Sequence, residues 1–256
     1  MDYLLFDELN KFNGIKYIDS THQYHYDGIA QTSVTTFIGN FKPKFDSEKE
    51  AEKYAAKHGL IYEEVLESWE YTRNYASIKG KTLHSFVENW YYNRIFEYNE
   101  DDLIAQFGDS MLKNVEKMIT LFKQFHADSK NTLVPIRSEL IVGDKDFNIS
   151  GTVDQLFYNK KYNELQIFDW KTNKAIEFSN AYGNKFDRPI SHLDVCEFNT
   201  YSLQLSIYKY IIEKNTNLKI GNTYIVWFNE LNEEYKIFKC ADLRNDFENM
   251  LKFPKK

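Results

Sequence analysis

The sequence predicts a mixed α/β (α+β) fold, with a central mixed sheet flanked by helices and a mainly helical front half. Three observations carry this expectation. Residues 132–171 hold three β-prone runs, TLVPIRSELIV, FNISGTVDQLFY and ELQIFDWK, separated by the turn-like GDKD and NKKYN. Apolar residues before them recur at helical spacing. After them the chain returns to a helix in TYSLQLSIYKYIIEK, to strands at TYIVWF and EYKIFK, and to a helix from about Asp242. The order is a helical front followed by β-β-β-α-β-β-α. It points to one domain over residues 1–256, with a mainly helical part over 1–130 and the β-β-β-α-β core over 131–256.

Residues 14–38 alternate short β-prone pieces with turn residues and end in TSVTTFI. A helix starts near Ser47, where Ser47 and Glu50 give the S-x-x-E spacing of a capping box, and stops near Gly59. Residues 61–77 read as a second helix, with Val65, Trp69 and Tyr75 among polar residues. After Gly80, a third helix follows in KTLHSFVENWYYNRIF, where Leu83, Phe86, Val87, Trp90 and Tyr91 share a face. A fourth spans roughly 110–128 through Met111, Val115, Met118, Phe122 and Phe125.

Composition excludes several classes. With 43% hydrophobic residues, 27% charged, four Pro and ten Gly, the chain is not a disordered one and can bury a large core. A net charge of −6 argues against a passive, sequence-neutral DNA coat, which needs many cations to displace counterions. It does not exclude phosphate chemistry, because a bound divalent cation holds phosphate in an acidic protein. Two cysteines, Cys196 and Cys240, cannot supply a four-thiolate zinc or iron–sulfur site. No G-x-x-x-x-G-K-[ST] loop is present, so no nucleotide cofactor is expected. MDYLLFDELN has no secretory pattern and no apolar run approaches the roughly 20 residues of a membrane span. A cytoplasmic location without membrane partners is the expectation.

The chemistry concentrates on ELQIFDWK. Alternate strand side chains share a face, so Leu165, Ile167, Asp169 and Lys171 point one way and Gln166, Phe168 and Trp170 the other. Most of the run is apolar, as in a buried central strand whose end carries an acid and an amine. Taken alone, Asp169 and Lys171 make an ion pair at a strand end. FNISGTVDQLFY adds Asp154, three residues after Gly151, on the preceding strand. A short turn between the two strands makes them antiparallel neighbours and brings Asp154 near Asp169. Two adjacent carboxylates repel unless they share a proton or a cation, and oxygen ligands on a rigid sheet suit Mg²⁺ or Mn²⁺.

Gly151-Thr152-Val153-Asp154 followed by Asp169-Trp170-Lys171 resembles the split metal motif of the PD-(D/E)XK nucleases. Gly80-Lys81-Thr82-Leu83-His84 looks like the histidine-bearing helix of their RecB-like exonuclease branch. Gln204-Leu205-Ser206-Ile207-Tyr208 is similar to that branch's Q-x-x-x-Y motif. Asp169-Trp170-Lys171-Thr172 and Ser33-Val34-Thr35 resemble stretches in mitochondrial genome maintenance exonucleases and small phage relatives. The resemblance spans residues 33–210. Val153 stands where the superfamily's name has proline, and the cysteines of relatives with an iron–sulfur cluster are missing.

The resemblance implies a restriction-endonuclease-like core and a metal-dependent DNA exonuclease acting on ends of single-stranded DNA, in replication, recombination or phage DNA processing. Any unwinding would come from a separate helicase or replication protein. It implies catalytic roles for Asp154, Asp169 and Lys171, with His84, Asp154, Asp169 and the Trp170 carbonyl as metal ligands. Lys171 would orient and help deprotonate the attacking water. Gln204 and Tyr208 would support Lys171 or contact DNA, and Thr172, Ser33 and Thr35 would also meet substrate.

Plainer readings stand beside these. His84 fits a structural histidine, and Gln204 with Tyr208 fits a helix–sheet contact. Glu139 either matches an acidic position of relatives or faces solvent, and Glu88 is solvated or backs the ligands. Ser33 and Thr35 bind a phosphate or close a turn. Trp90, Tyr91, Tyr92 and Phe96 have rings that could stack on bases, but at helical spacing such rings are usually core, so none is assigned. A structure-selective endonuclease and a non-catalytic DNA-end binding module are the alternatives to the exonuclease.

Overall fold

A computed structural model describes residues 3–253. Helix α1 (Tyr3–Asn10) precedes strands β1 (Ile15–Ile18), β2 (Gln23–Tyr26) and β3 (Ile29–Ser33). Five helices follow: α2 (Val34–Gly39), α3 (Ser47–His58), α4 (Tyr62–Tyr91), α5 (Glu100–Phe107) and α6 (Asp109–Ser129). The chain then forms β4 (Leu133–Asp144), β5 (Ile149–Asn159), β6 (Glu164–Lys171), α7 (Glu197–Asn215), β7 (Ile220–Trp227), β8 (Lys236–Lys239) and α8 (Arg244–Lys252). All strands join one mixed eight-stranded sheet in the order β1-β2-β3-β5-β6-β7-β8, with β4 branching onto β5. The expected mixed α/β class is the observed one.

The alternation read in ELQIFDWK sorts the core. Leu165 and Ile167 pack with Leu203, Leu205 and Ile207 of α7. Phe168 and Trp170 pack with Leu83 and Val87 of α4 and with Met118, Phe122 and Phe125 of α6. Helix α7 is the crossover that parallel pairing of β6 with β7 requires. Burying β6 on both faces fixes its terminal residues, and with them Asp169 and Lys171.

Several local expectations are corrected. Residues 61–77 and the segment after Gly80 form one helix, α4, which runs unbroken through the glycine. A Cβ at Gly80 would lie 3.4 Å from Thr172 Oγ1, an ordinary contact that places this turn of α4 beside the end of β6. The cap of α3 is Asp46, whose carboxylate accepts from Lys49 N, rather than Ser47; Gly59 closes the helix in the left-handed region as expected. Helices α1 and α5 were not anticipated, and TSVTTFI turns helical at Val34. The front part also contributes three strands: β3 runs parallel to β5, pairing Thr32 with Ile149 and Ser33 with Ser150.

Candidate metal centre

The sheet forks at the motif residues. The antiparallel ladder between β5 and β6 runs from Asn159–Glu164 to Gln155–Phe168 and stops there. Beyond it, Asp169, Trp170 and Lys171 pair only with Ile225, Val226 and Trp227 of β7, while the start of β5 pairs with β4 and β3. Asp154 stands in the fork. Its Oδ2 accepts from the Trp170 backbone N–H at 2.8 Å, taking the place of a ladder bond.

Helix α4 brings His84 over this opening. His84 Nε2 lies 3.0 Å from the Trp170 carbonyl oxygen. Its Nδ1 lies 3.6 Å from Asp154 Oδ2 and 3.8 Å from Glu139 Oε1. One ligand atom each from His84, Glu139 and Asp154 falls within 4.8 Å of the others. Glu139 reaches the group from β4 with a backbone φ of 48°, a conformation an L-residue adopts only at a cost. Its neighbours Ser138 and Leu140 pair regularly with Gln155 and Val153, so the twist at Glu139 is local.

Charge accumulates here. Burial disfavours a charged His84, but the carboxylates of Asp154 and Glu139 outweigh it and raise the imidazole to about 9. Burial pushes the Asp154 carboxyl up, against the pull of the His84 and Lys171 charges. The same burial raises Asp169, with Lys171 opposing it and Asp154 adding to it. Asp169 is 1% exposed. Lys171 Nζ lies 2.5 Å from its Oδ2 as a buried ion pair. Burial opposes the Lys171 charge, but Asp169 and Asp154 hold the ammonium protonated.

The remaining candidates divide. Gln204 Nε2 donates to Tyr208 Oη at 3.1 Å, and both are buried. Tyr208 packs on Gly151, where a Cβ would come within 2.7 Å of its ring. Lys171 lies instead over the ring of Tyr201, 4.3 Å from its centroid. Tyr201 was missed, although it shares a helical face with Gln204 and Tyr208 at spacings of three and seven, which is the signal that could have found it. Ser33 is the N-cap of α2, accepting from Thr36 N at 3.0 Å with Thr35 Oγ1 also 3.0 Å away, which matches the turn alternative. Glu88 faces Arg94 at 3.7 Å, on the wall of a cleft that Glu139 also lines. Among the aromatics, Tyr91 packs against Phe122 and Phe157 in the core.

These residues fit a divalent cation. Three carboxylates and an imidazole share this site with a single ammonium, and burial raises the pKa of Asp154 and Asp169, so a cation offsets charge that Lys171 alone does not. Oxygen donors with one nitrogen match Mg²⁺ or Mn²⁺ chemistry. Among the described residues no helix is long and apolar enough to cross a membrane.

No curated protein matches this sequence. A solved structure described as "Crystal structure of SSO0001" is 13% identical over 67% of this chain and 81% of its own, with a TM-score of 0.23, a likeness too slight to argue from. The profile of the PD-(D/E)XK nuclease superfamily matches residues 49–252, which takes in His84, Glu139, Asp154, Asp169 and Lys171. The chain belongs to the PD-(D/E)XK nuclease superfamily.

Proposed function

We propose that the protein is a Mg²⁺- or Mn²⁺-dependent deoxyribonuclease that hydrolyses phosphodiester bonds from the ends of single-stranded DNA. The observation that supports the hydrolytic reading is the gathering of His84, Glu139 and Asp154 ligand atoms within 4.8 Å of one another, beside the buried Asp169–Lys171 pair at the fork in the sheet. The preference for ends rests on the sequence resemblance of the His84 helix and the Gln204–Tyr208 pair to RecB-like exonucleases.

His84, Glu139, Asp154, Asp169 and the Trp170 carbonyl would hold the metal. When bound, the metal lowers the pKa of a water and offsets charge on the scissile phosphate. Lys171, kept protonated by its acidic neighbours, is a donor and not a base as it stands. It orients the attacking water and gives a hydrogen bond to a phosphate oxygen as negative charge grows there. Tyr201 and its bond to Asn173, 2.9 Å long, hold the ammonium over the fork. Gln204 and Tyr208 press α7 against Gly151 and keep β5 in place.

The test is direct. End-labelled single-stranded, duplex and circular DNA is incubated with Mg²⁺, Mn²⁺ or EDTA and the product ladders are read. The proposal expects mononucleotides or short products from linear single strands, none from circles, and none in EDTA. Cleavage of circles would replace it with an endonuclease; cleavage in EDTA would end the metal mechanism.

A further inference from the structure

Beside the fork, the front hairpin carries aromatic surface that the hydrolytic machinery does not use. Tyr17 and Tyr24 are directly opposite each other in the β1–β2 pair, so their rings share a face, with centroids 4.9 Å apart. Tyr17 is 38% exposed and belongs to neither large core cluster. Its hydroxyl and His22 Nδ1 are 3.0 Å apart, which steadies the outer ring against the turn. The inner ring is tied to the catalytic strand: Tyr24 Oη is 2.9 Å from Thr152 Oγ1, two residues before Asp154. Between them lies a cavity of about 270 Å³, lined by Tyr17, His22, Tyr24, Thr35, Gly151 and Tyr208.

We infer that this cavity takes one unpaired nucleobase of the substrate strand, stacked on Tyr17 with the tilted ring of Tyr24 behind it, next to the phosphate being cut. The inference rests on the nuclease reading and deepens it. The lining offers the rings of Tyr17, Tyr24, Tyr208 and His22 and the hydroxyls of Ser33 and Thr35, with no carboxylate or ammonium, so a neutral planar ring finds both a face to stack on and polar edges to meet. Its floor is Gly151, on the same strand as Asp154, so an occupant sits within one nucleotide or so of the fork. Every base has a π-face, so such a platform accepts any sequence. A base inside a duplex is already stacked on both sides and cannot enter. The platform therefore makes the site select single strands.

The experiment uses the whole protein in EDTA, where nothing is cut, with single-stranded oligonucleotides carrying 2-aminopurine at successive positions from one end. The wild type should quench fluorescence sharply at one position. Tyr17→Ala should abolish that quench and weaken binding by roughly tenfold, while Tyr17→Phe, which keeps the ring, should retain both. Thermal melts confirm that the variants are folded. Wild-type quench and affinity in a folded Tyr17→Ala would overturn the inference, as would equal quenching at all positions. The two readings separate. A wild type that quenches at one position but cuts nothing with any metal leaves the platform and removes the nuclease; a wild type that cuts single strands beside a Tyr17→Ala that binds normally does the reverse.

Discussion

His84 sits between one carbonyl and two carboxylates, so both of its ring nitrogens face acceptors. That environment raises its pKa to about 9 in the metal-free protein. A nitrogen ligand must be neutral, so metal binding has to displace a proton at any pH below that value. Apparent affinity for Mn²⁺ should therefore fall about tenfold per pH unit between pH 8 and pH 6, where a histidine near its ordinary value of about 6.5 would show little change above pH 7. Calorimetric titration in buffers of different ionisation enthalpy counts the proton released. His84→Ala should bind Mn²⁺ more weakly and with a flatter pH dependence; unchanged affinity would make His84 a packing residue. Lys171 acts elsewhere. Lys171→Ala should keep Mn²⁺ binding within a few-fold and slow single-turnover cleavage by about 100-fold or more, the scale of losing one transition-state donor. A collapse of metal affinity with an unchanged rate would contradict that division.

The elements decide how closely these residues meet. Strand β5 and helix α7 touch at Gly151, where an added Cβ would stand 2.7 Å from Tyr208 Cε1 and 2.9 Å from its hydroxyl. Gly151→Ala should destabilise the protein by about 1–3 kcal/mol, the usual cost of overpacking. In a Tyr208→Leu background the added cost should shrink, because contacting residues are not additive; urea melts of the four proteins measure the coupling, and strict additivity would show that the contact does not matter. Much of this was legible in the sequence because it is local. The alternation in β6, the turn before it and the helical period of α6 and α7 each sit within a short window. What escaped depends on distant partners or on a single dihedral angle. Gly80 reads as a break, because glycine costs a helix about 1 kcal/mol, yet α4 runs through it with Leu83 and Val87 held in the core beyond. The pairing of β3 with β5 joins segments far apart in the chain. Glu139 meets His84 from a residue with positive φ, which no pattern of residue types announces.

On the scale of the whole molecule, the fork is a weak point set in a strong frame. Large apolar cores lie on either side of β6, and between them the site holds buried acids that ionise only against the pull of burial. An acid whose folded pKa is raised favours folding below its unfolded value, about 3.9, and loses that contribution as pH rises through the folded value. At pH 7 the two acids have therefore lost that contribution, whereas His84 and Lys171, whose charges they hold above the ordinary range, still favour folding. A divalent cation that binds the folded site should raise stability: at a hundredfold excess over its Kd it adds about 2.7 kcal/mol, or roughly 5–10 °C in Tm for a chain of this size. Asp169→Asn separates the site's chemistry from its cost to stability. The substitution removes a charge that burial disfavours more than Lys171 stabilises it, while Asp154 still faces Lys171. In EDTA the variant should melt at or above the wild type. Mg²⁺ or Mn²⁺ should then raise its Tm far less than that of the wild type, and cleavage should fall by about a thousandfold with the loss of metal activation. The decisive comparison is the pair of melting curves in EDTA. A variant melting well below wild type would mean that Asp169 serves as the structural counter-ion of Lys171, and the case for a cation at the fork would then rest on His84, Glu139 and Asp154 alone.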